Sequence, residues 1–333
     1  MTAFRLGGLP ERVTIYEVGP RDGLQNEQAS VPTAVKAEFI RRLAGTGLRV
    51  IEATGFVHPK WVPQLADAGE LLEMLGLPHR ADGVRYPVLV PSERGLERAL
   101  AAGADEIAIL GSATESFAQR NLNRTVAESF AMFAPVVDRA TAAGMRVRAY
   151  LSMCFGDPWE GPVPVDRAAD IGVRLLELGC VELSLGDTIG VGTAGHVNAM
   201  LSALSERGVG PDRLAVHFHD TYGQALANTL AALRCGVSVV DASAGGLGGC
   251  PYARSATGNL ATEDLAWLLR GLGIETGVDL DRLVSTSRWM AAQLGRPSPS
   301  RVVQALGSGV ETPQGGVAEP PTRARQDVSP FQT

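Results

Sequence analysis

One alternation, carried along most of the chain, limits what it can fold into. Runs rich in Val, Ile and Leu fall at Val13–Val18, Val50–Thr54, Pro87–Val90, Glu106–Leu110, Arg146–Ser152, Val181–Leu185, Leu214–His219 and Val237–Ala242. Between them, apolar residues three or four apart predict helices at Val35–Ala44, Leu65–Leu75, Gly95–Ala102, Ser129–Ala143, Ala168–Leu178, Val197–Glu206, Ala225–Cys235 and Thr262–Leu272. Short apolar runs suit strands buried on both faces, and helical crossovers make such strands parallel. Eight strand–helix units therefore predict an α/β protein built as a (β/α)8 TIM barrel. The alternative, a doubly wound open sheet, is disfavoured by the even spacing and by the lack of GxGxxG after the first strand. Gly45, Gly103, Gly144, Gly179 and Gly236 stand where helices should end in a left-handed cap. A further helix reads over Asp279–Leu294, so the expected organisation is one domain over 1–306: a barrel at about 13–272 plus additional C-terminal helices. From about Gly307 the sequence has little to bury, and 307–333 predicts a flexible tail.

Composition narrows the class of function. The net charge of −6 argues against a nucleic-acid footprint or a polybasic membrane anchor. Apolar runs such as Ile107–Leu110 are too short to span a bilayer. The start has neither an apolar signal core nor the Arg and Ser of a transit peptide. Cys154, Cys180, Cys235 and Cys250 are scattered without a CxxC pair, which speaks against a disulfide framework or a structural zinc site. The expected setting is a reducing, cytoplasmic one.

A barrel of this kind carries its active site at the C-terminal ends of the strands. His217 and His219 alternate on the seventh strand, so both imidazoles project to one face. With Asp22 available, such a pair suits a divalent cation. Arg21 beside Asp22 offers a guanidinium to an anionic intermediate. Glu17 and Glu52 lie within strands, where an unpaired carboxylate is costly; they either hold Arg21 in an ion pair or act directly. Cys250, in a glycine-flanked loop, is a candidate proton donor on a mobile lid. The glycine-rich Gly186–Gly195 lacks the Lys of a phosphate-binding loop.

From about Val13 to Leu294 the chain closely resembles the HMG-CoA lyase (3-hydroxy-3-methylglutaryl-CoA lyase) family, within the metal-dependent lyase and Claisen-condensing barrel superfamily. The resemblance rests on EVGPRDGLQNE at 17–27, HFHDTYGQALAN at 217–228 and GLGGCPYARSATGN at 246–259, with SLGDTIGVG at 184–192 and FVHPKWVPQ at 56–64. It implies a TIM-barrel lyase, usually dimeric, that cleaves an acyl-CoA by metal-assisted retro-Claisen-type aldol chemistry to acetoacetate and acetyl-CoA. It also implies Asp22, His217, His219 and Asn259 as ligands of Mg or Mn, and Arg21 as the enolate-stabilising residue. In the same scheme Cys250 is the lid thiol, with His217 helping to move protons, while Glu52 and Asp187 are active-site acids and Glu17 steadies the ligands from behind. Gln25, Gly55 and His58 are candidates for the substrate pocket. The chain departs from the family at Gly55 and His58, where Ser is usual, and at Gln28, where a Lys follows LQNE. Those departures keep open a sibling activity on citramalyl-CoA or a longer-chain analogue.

Overall fold

The computed structural model describes residues 2–27, 29–77, 83–249 and 258–307. Eight parallel strands wind around one axis: β1 (Thr14–Glu17), β2 (two stretches, Val50–Ile51 and Thr54–Gly55), β3 (Val88–Leu89), β4 (Glu106–Ser112), β5 (Arg146–Ser152), β6 (Glu182–Asp187), β7 (Leu214–Phe218) and β8 (Val239–Ala242). Each pairs with its neighbours in sequence, and β1 also pairs with β8, Thr14 lying opposite Val239. The cylinder closes through β2. Its first stretch lies against β1, Val50 opposite Tyr16, and its second against β3, Thr54 opposite Val88. Between the two, the Glu52 amide donates to the Glu17 carbonyl at 2.8 Å and the Ala53 amide to the Pro87 carbonyl at 2.9 Å. The expected (β/α)8 barrel is the observed fold.

The helices are α1 (Thr33–Ala44), α2 (Ala68–Leu75), α3 (Glu93–Ala101), α4 (Glu115–Leu122), α5 (Val126–Ala142), α6 (Val165–Glu177), α7 (Ala194–Glu206), α8 (Ala225–Arg234), α9 (Thr262–Gly271), α10 (Leu280–Leu294) and α11 (Arg301–Gly307). Apolar periodicity places several starts late because first turns are polar. At α5, Thr125 and Glu128 form a reciprocal capping box. Gly103, Gly144, Gly179 and Gly236 are left-handed as expected, but Gly45 has φ −67° and continues the right-handed turn. The left-handed residue there is Gly47, at φ +95°, where a Cβ would fall 2.1 Å from the Gly277 carbonyl oxygen. Helix α4, the hairpin of Gly156–Asp157 with Gly161–Pro162, and α11 are each too short to announce themselves by periodicity.

Two kinds of interior result. Outward-facing strand residues such as Ile15, Ile107, Leu183 and Val240 pack with Phe39, Leu71, Phe133 and Leu204 of the helices into one continuous apolar layer. Inside the cylinder the apolar groups are small: Tyr16, Val18 and Val50 form one, and Leu89, Ala108 and Tyr150 the other. Arg148, 1% exposed, bridges them, its guanidinium carbon 3.8 Å from the Tyr16 ring centre and 4.8 Å from that of Tyr150. Among the described residues, no helix is long and apolar enough to cross a membrane. The predicted tail beyond Gly307 lies outside those residues.

Candidate active site

Strand β1 runs into a single π-helical turn, Gly19–Gly23, that carries Arg21 and Asp22 over the end of the cylinder. Glu17 steadies this turn. Its Oε1 accepts the amides of Gly19 and Ala244, both at 2.8 Å, and its Oε2 accepts the Thr262 hydroxyl at 2.7 Å. Burial pushes the Glu17 carboxyl up to about 7, against those hydrogen bonds. Glu17 thus ties the loops after β1 and β8 together from behind, and it makes no ion pair with Arg21, contrary to that expectation.

Glu52 does make the expected pair. Arg21 donates Nε to Glu52 Oε2 at 2.7 Å and Nη1 to Asp22 Oδ1 at 2.9 Å. The same Glu52 oxygen accepts the Tyr150 hydroxyl at 3.1 Å, and the Arg21 guanidinium lies 5.3 Å from the Tyr150 ring centre. Among the described residues the Nη2 of Arg21 carries no bond, which leaves that nitrogen for a ligand. Arg21 is 4% exposed, so its charge acts in a sparsely hydrated setting.

Asp22, His217 and His219 bring one ligand atom each to within 4.8 Å of one another. The Asn259 amide nitrogen donates to Asp22 Oδ2 at 2.8 Å and to the Leu247 carbonyl at 3.1 Å. Among the described residues, its Oδ1 and His219 Nδ1 are both buried without a partner. Orphaned buried acceptors are costly unless something fills the gap, and a divalent cation does so for this carboxylate, imidazole and amide-oxygen set. The residues therefore fit such an ion. Burial disfavours the Asp22 charge, yet Arg21 and the two histidines bring its carboxyl down to about 2. Burial and the neighbouring His217 bring His219 down to about 4, leaving a neutral imidazole suited to a cation.

A cavity of about 930 Å³ opens above this floor, with Arg21, Asp22, His217 and His219 at its base. Gln25 lines it with a buried Oε1 that has no partner among the described residues, and exposed His58 stands at the mouth, its ring 6.1 Å from that of Trp61. Gly55 lies beside the cavity rather than on its wall. A side chain there would meet Leu89 at 3.2 Å and Leu65 at 3.3 Å. Asp187 ends β6, but its carboxylate accepts the amides of Val191 at 3.0 Å and Gly192 at 2.9 Å, so it organises the following loop. Burial raises its carboxyl to about 6. Cys250 and Gln28 lie outside the described residues.

Sequence reasoning missed Arg148, Tyr150 and Asp241, which with Ser184 fill the cylinder beneath the site. A signal existed: Arg146, Arg148, Tyr150 and Ser152 alternate as polar positions in a predicted strand, and Asp241 interrupts another.

A family model described as HMGL-like matches residues 12–290. The chain is 53% identical, over 300 residues, to the mitochondrial hydroxymethylglutaryl-CoA lyase of Rattus norvegicus, covering 90% of this chain and 91% of the relative. It is 50% identical, over 303 residues, to the cytoplasmic 3-hydroxy-3-methylglutaryl-CoA lyase of the same species, covering 91% and 87%. Among solved structures, the hydroxymethylglutaryl-CoA lyase of Pseudomonas aeruginosa superposes with a TM-score of 0.86 at 46% identity, covering 90% of this chain and 98% of that one.

Proposed function

The chain belongs to the HMGL-like family, and from that premise we propose that it cleaves (S)-3-hydroxy-3-methylglutaryl-CoA to acetoacetate and acetyl-CoA. The observation that carries this reading is the convergence of Asp22, His217 and His219 beside Arg21 on the floor of one cavity, with Asn259 bonded to Asp22 from the side. Relatives at about half identity that are named for this reaction support it. So does a relative from Acinetobacter baumannii, 35% identical, whose structure contains coenzyme A.

In the proposed centre Asp22, His217, His219 and the side-chain Oδ1 of Asn259 would hold Mg²⁺ or Mn²⁺. When bound, such an ion would supply Lewis acidity toward the substrate's oxygens. The tertiary hydroxyl loses its proton to a base at this floor, and its oxygen becomes the ketone of acetoacetate as the adjacent C–C bond breaks. The electron pair of that bond passes to the thioester fragment as an enolate. Arg21 meets the enolate oxygen with a guanidinium already oriented by Glu52 and Asp22, so little reorganisation accompanies the charge. Protonation of the enolate carbon, assigned here to Cys250, completes acetyl-CoA. Glu52 acts by orienting Arg21, and Asp187 by shaping the loop at Val191–Gly192.

The reading extends to a homodimer in a reducing cytoplasm and to a role in leucine degradation. Buried Cys154 and Cys180 are free thiols, which supports the reducing setting. A coupled assay with Mg²⁺ or Mn²⁺ tests the activity by offering HMG-CoA and citramalyl-CoA separately. Acetoacetate release that EDTA abolishes is expected. Pyruvate release instead, or release indifferent to EDTA, would overturn the assignment. Cys250→Ala should lower turnover by orders of magnitude while leaving Mn²⁺ affinity intact.

A further inference from the structure

We infer that Asp241 is a positioning residue for His217, fixing the imidazole with its proton on Nδ1 and its Nε2 turned toward Asp22. The inference rests on the metal-centre reading above. Asp241 lies on β8, its side chain wholly enclosed, and both of its oxygens are engaged. Oδ1 accepts Arg148 Nη2 at 2.6 Å, while Oδ2 accepts the Ser184 hydroxyl at 2.9 Å and lies 3.2 Å from His217 Nδ1. A carboxylate can only accept, so the nitrogen facing it must carry the proton. In a neutral imidazole that leaves the Nε2 lone pair free for a cation. His217 Nε2 is 3.9 Å from Asp22 Oδ2, on the side where the ligand atoms gather.

The carboxylate is itself immobilised. Arg148 meets Glu182 at 2.7 Å on its other side and stacks against the rings of Tyr16 and Tyr150, so it holds Asp241 in one orientation. Arg148 Nη1 also donates to the Tyr150 hydroxyl at 3.1 Å, and that hydroxyl donates to the Glu52 oxygen that orients Arg21. One buried arginine thus supports both the histidine and the arginine of the site. Replacing Asp241 by Asn would disturb the first arm specifically. The Asn carbonyl must face the Arg148 donor, which points its NH₂ at His217 Nδ1 and drives the imidazole proton to Nε2.

The test compares Mn²⁺ affinity, by calorimetric titration, for wild type, Asp241→Asn, Asp241→Glu and Glu182→Gln. Glu182 pairs with the same Arg148 without touching His217, so it reports the structural cost of unpairing that arginine. Asp241→Asn should bind Mn²⁺ about 10–100-fold more weakly, Asp241→Glu should recover part of the loss, and Glu182→Gln should bind as wild type does. Wild-type affinity in Asp241→Asn, or an equal loss in Glu182→Gln, would overturn the inference. Should Asp241→Asn fail to fold, ¹⁵N spectra of the Mg²⁺-loaded wild-type chain decide: the His217 proton belongs on Nδ1, and finding it on Nε2 refutes the assignment. A wild-type chain that bound no Mn²⁺ would instead remove the metal-centre reading itself.

Discussion

The layer between the sheet and the helices and the space inside the cylinder are built from opposite materials. The outer layer is apolar and continuous, with Ile15, Ile107, Leu183 and Val240 meeting Phe39, Phe133 and Leu204. Inside, Arg21, Glu52, Arg148 and Asp241 form a charged lattice, with His217 bonded to it, between two small apolar groups. The outer layer supplies the free energy of folding, since apolar burial is non-directional and cumulative. The lattice supplies orientation. Its ions are desolvated at a cost that pairing only partly offsets, so it is better suited to placing Arg21 and His217 than to stabilising the fold.

Substitutions should separate these roles. The largest effect expected is on chemistry: Asp22→Ala should lower turnover on the order of 10³-fold and weaken Mn²⁺ binding, with a small change in melting temperature. Near-normal turnover would remove Asp22 from the centre. Phe133→Ala, in the outer layer, should show the reverse, losing about 3–5 kcal/mol of stability in denaturant titration while the folded enzyme keeps its kcat. A fallen kcat would mean that the two interiors are coupled.

Glu17→Gln gives the next largest effect and sharpens the comparison through pH. A carboxyl raised from its ordinary value to about 7 contributes stability that is full below about pH 4.5 and is lost as pH rises through about 7. The Gln variant lacks that term, so wild type should lose stability against it on the order of 3 kcal/mol over that window. Parallel pH–stability curves would show that Glu17 titrates normally. The smallest effect belongs to Gly55→Ser. Its Cβ would press on Leu89 and Leu65, so a loss of about 1 kcal/mol is expected, with no change in preference between HMG-CoA and citramalyl-CoA. A shift in preference would return Gly55 to the acyl pocket.

The same contrast explains what the sequence makes legible. Outer strand and helix faces announce themselves by period, because burial against a helix selects aliphatic residues at fixed spacing. Asp22, His217 and His219 are legible because their types and strand-end positions specify a chemistry. Arg148 and Asp241 are 93 residues apart and ordinary in isolation. Their meaning appears only when β5 and β8 face each other across the axis. Glu17 and Glu52 carry the same residue type in adjacent strands, yet one holds loop amides and the other Arg21. That difference is set by which groups stand opposite, a property of register rather than of spacing.

The closure at β2 has a consequence for motion. At the seam of the cylinder, where Ile51 and Phe56 also donate to the carbonyls of Arg85 and Leu89, Glu52 and Ala53 donate their amides in opposite directions, one to β1 and the next toward β3. One of those residues also carries the carboxylate that orients Arg21. Exchange of these two amide protons with solvent therefore requires parting the cylinder, which also unseats the guanidinium. These two hydrogens and the orientation of Arg21 thus share one cooperative unit, and heat should take both in a single step.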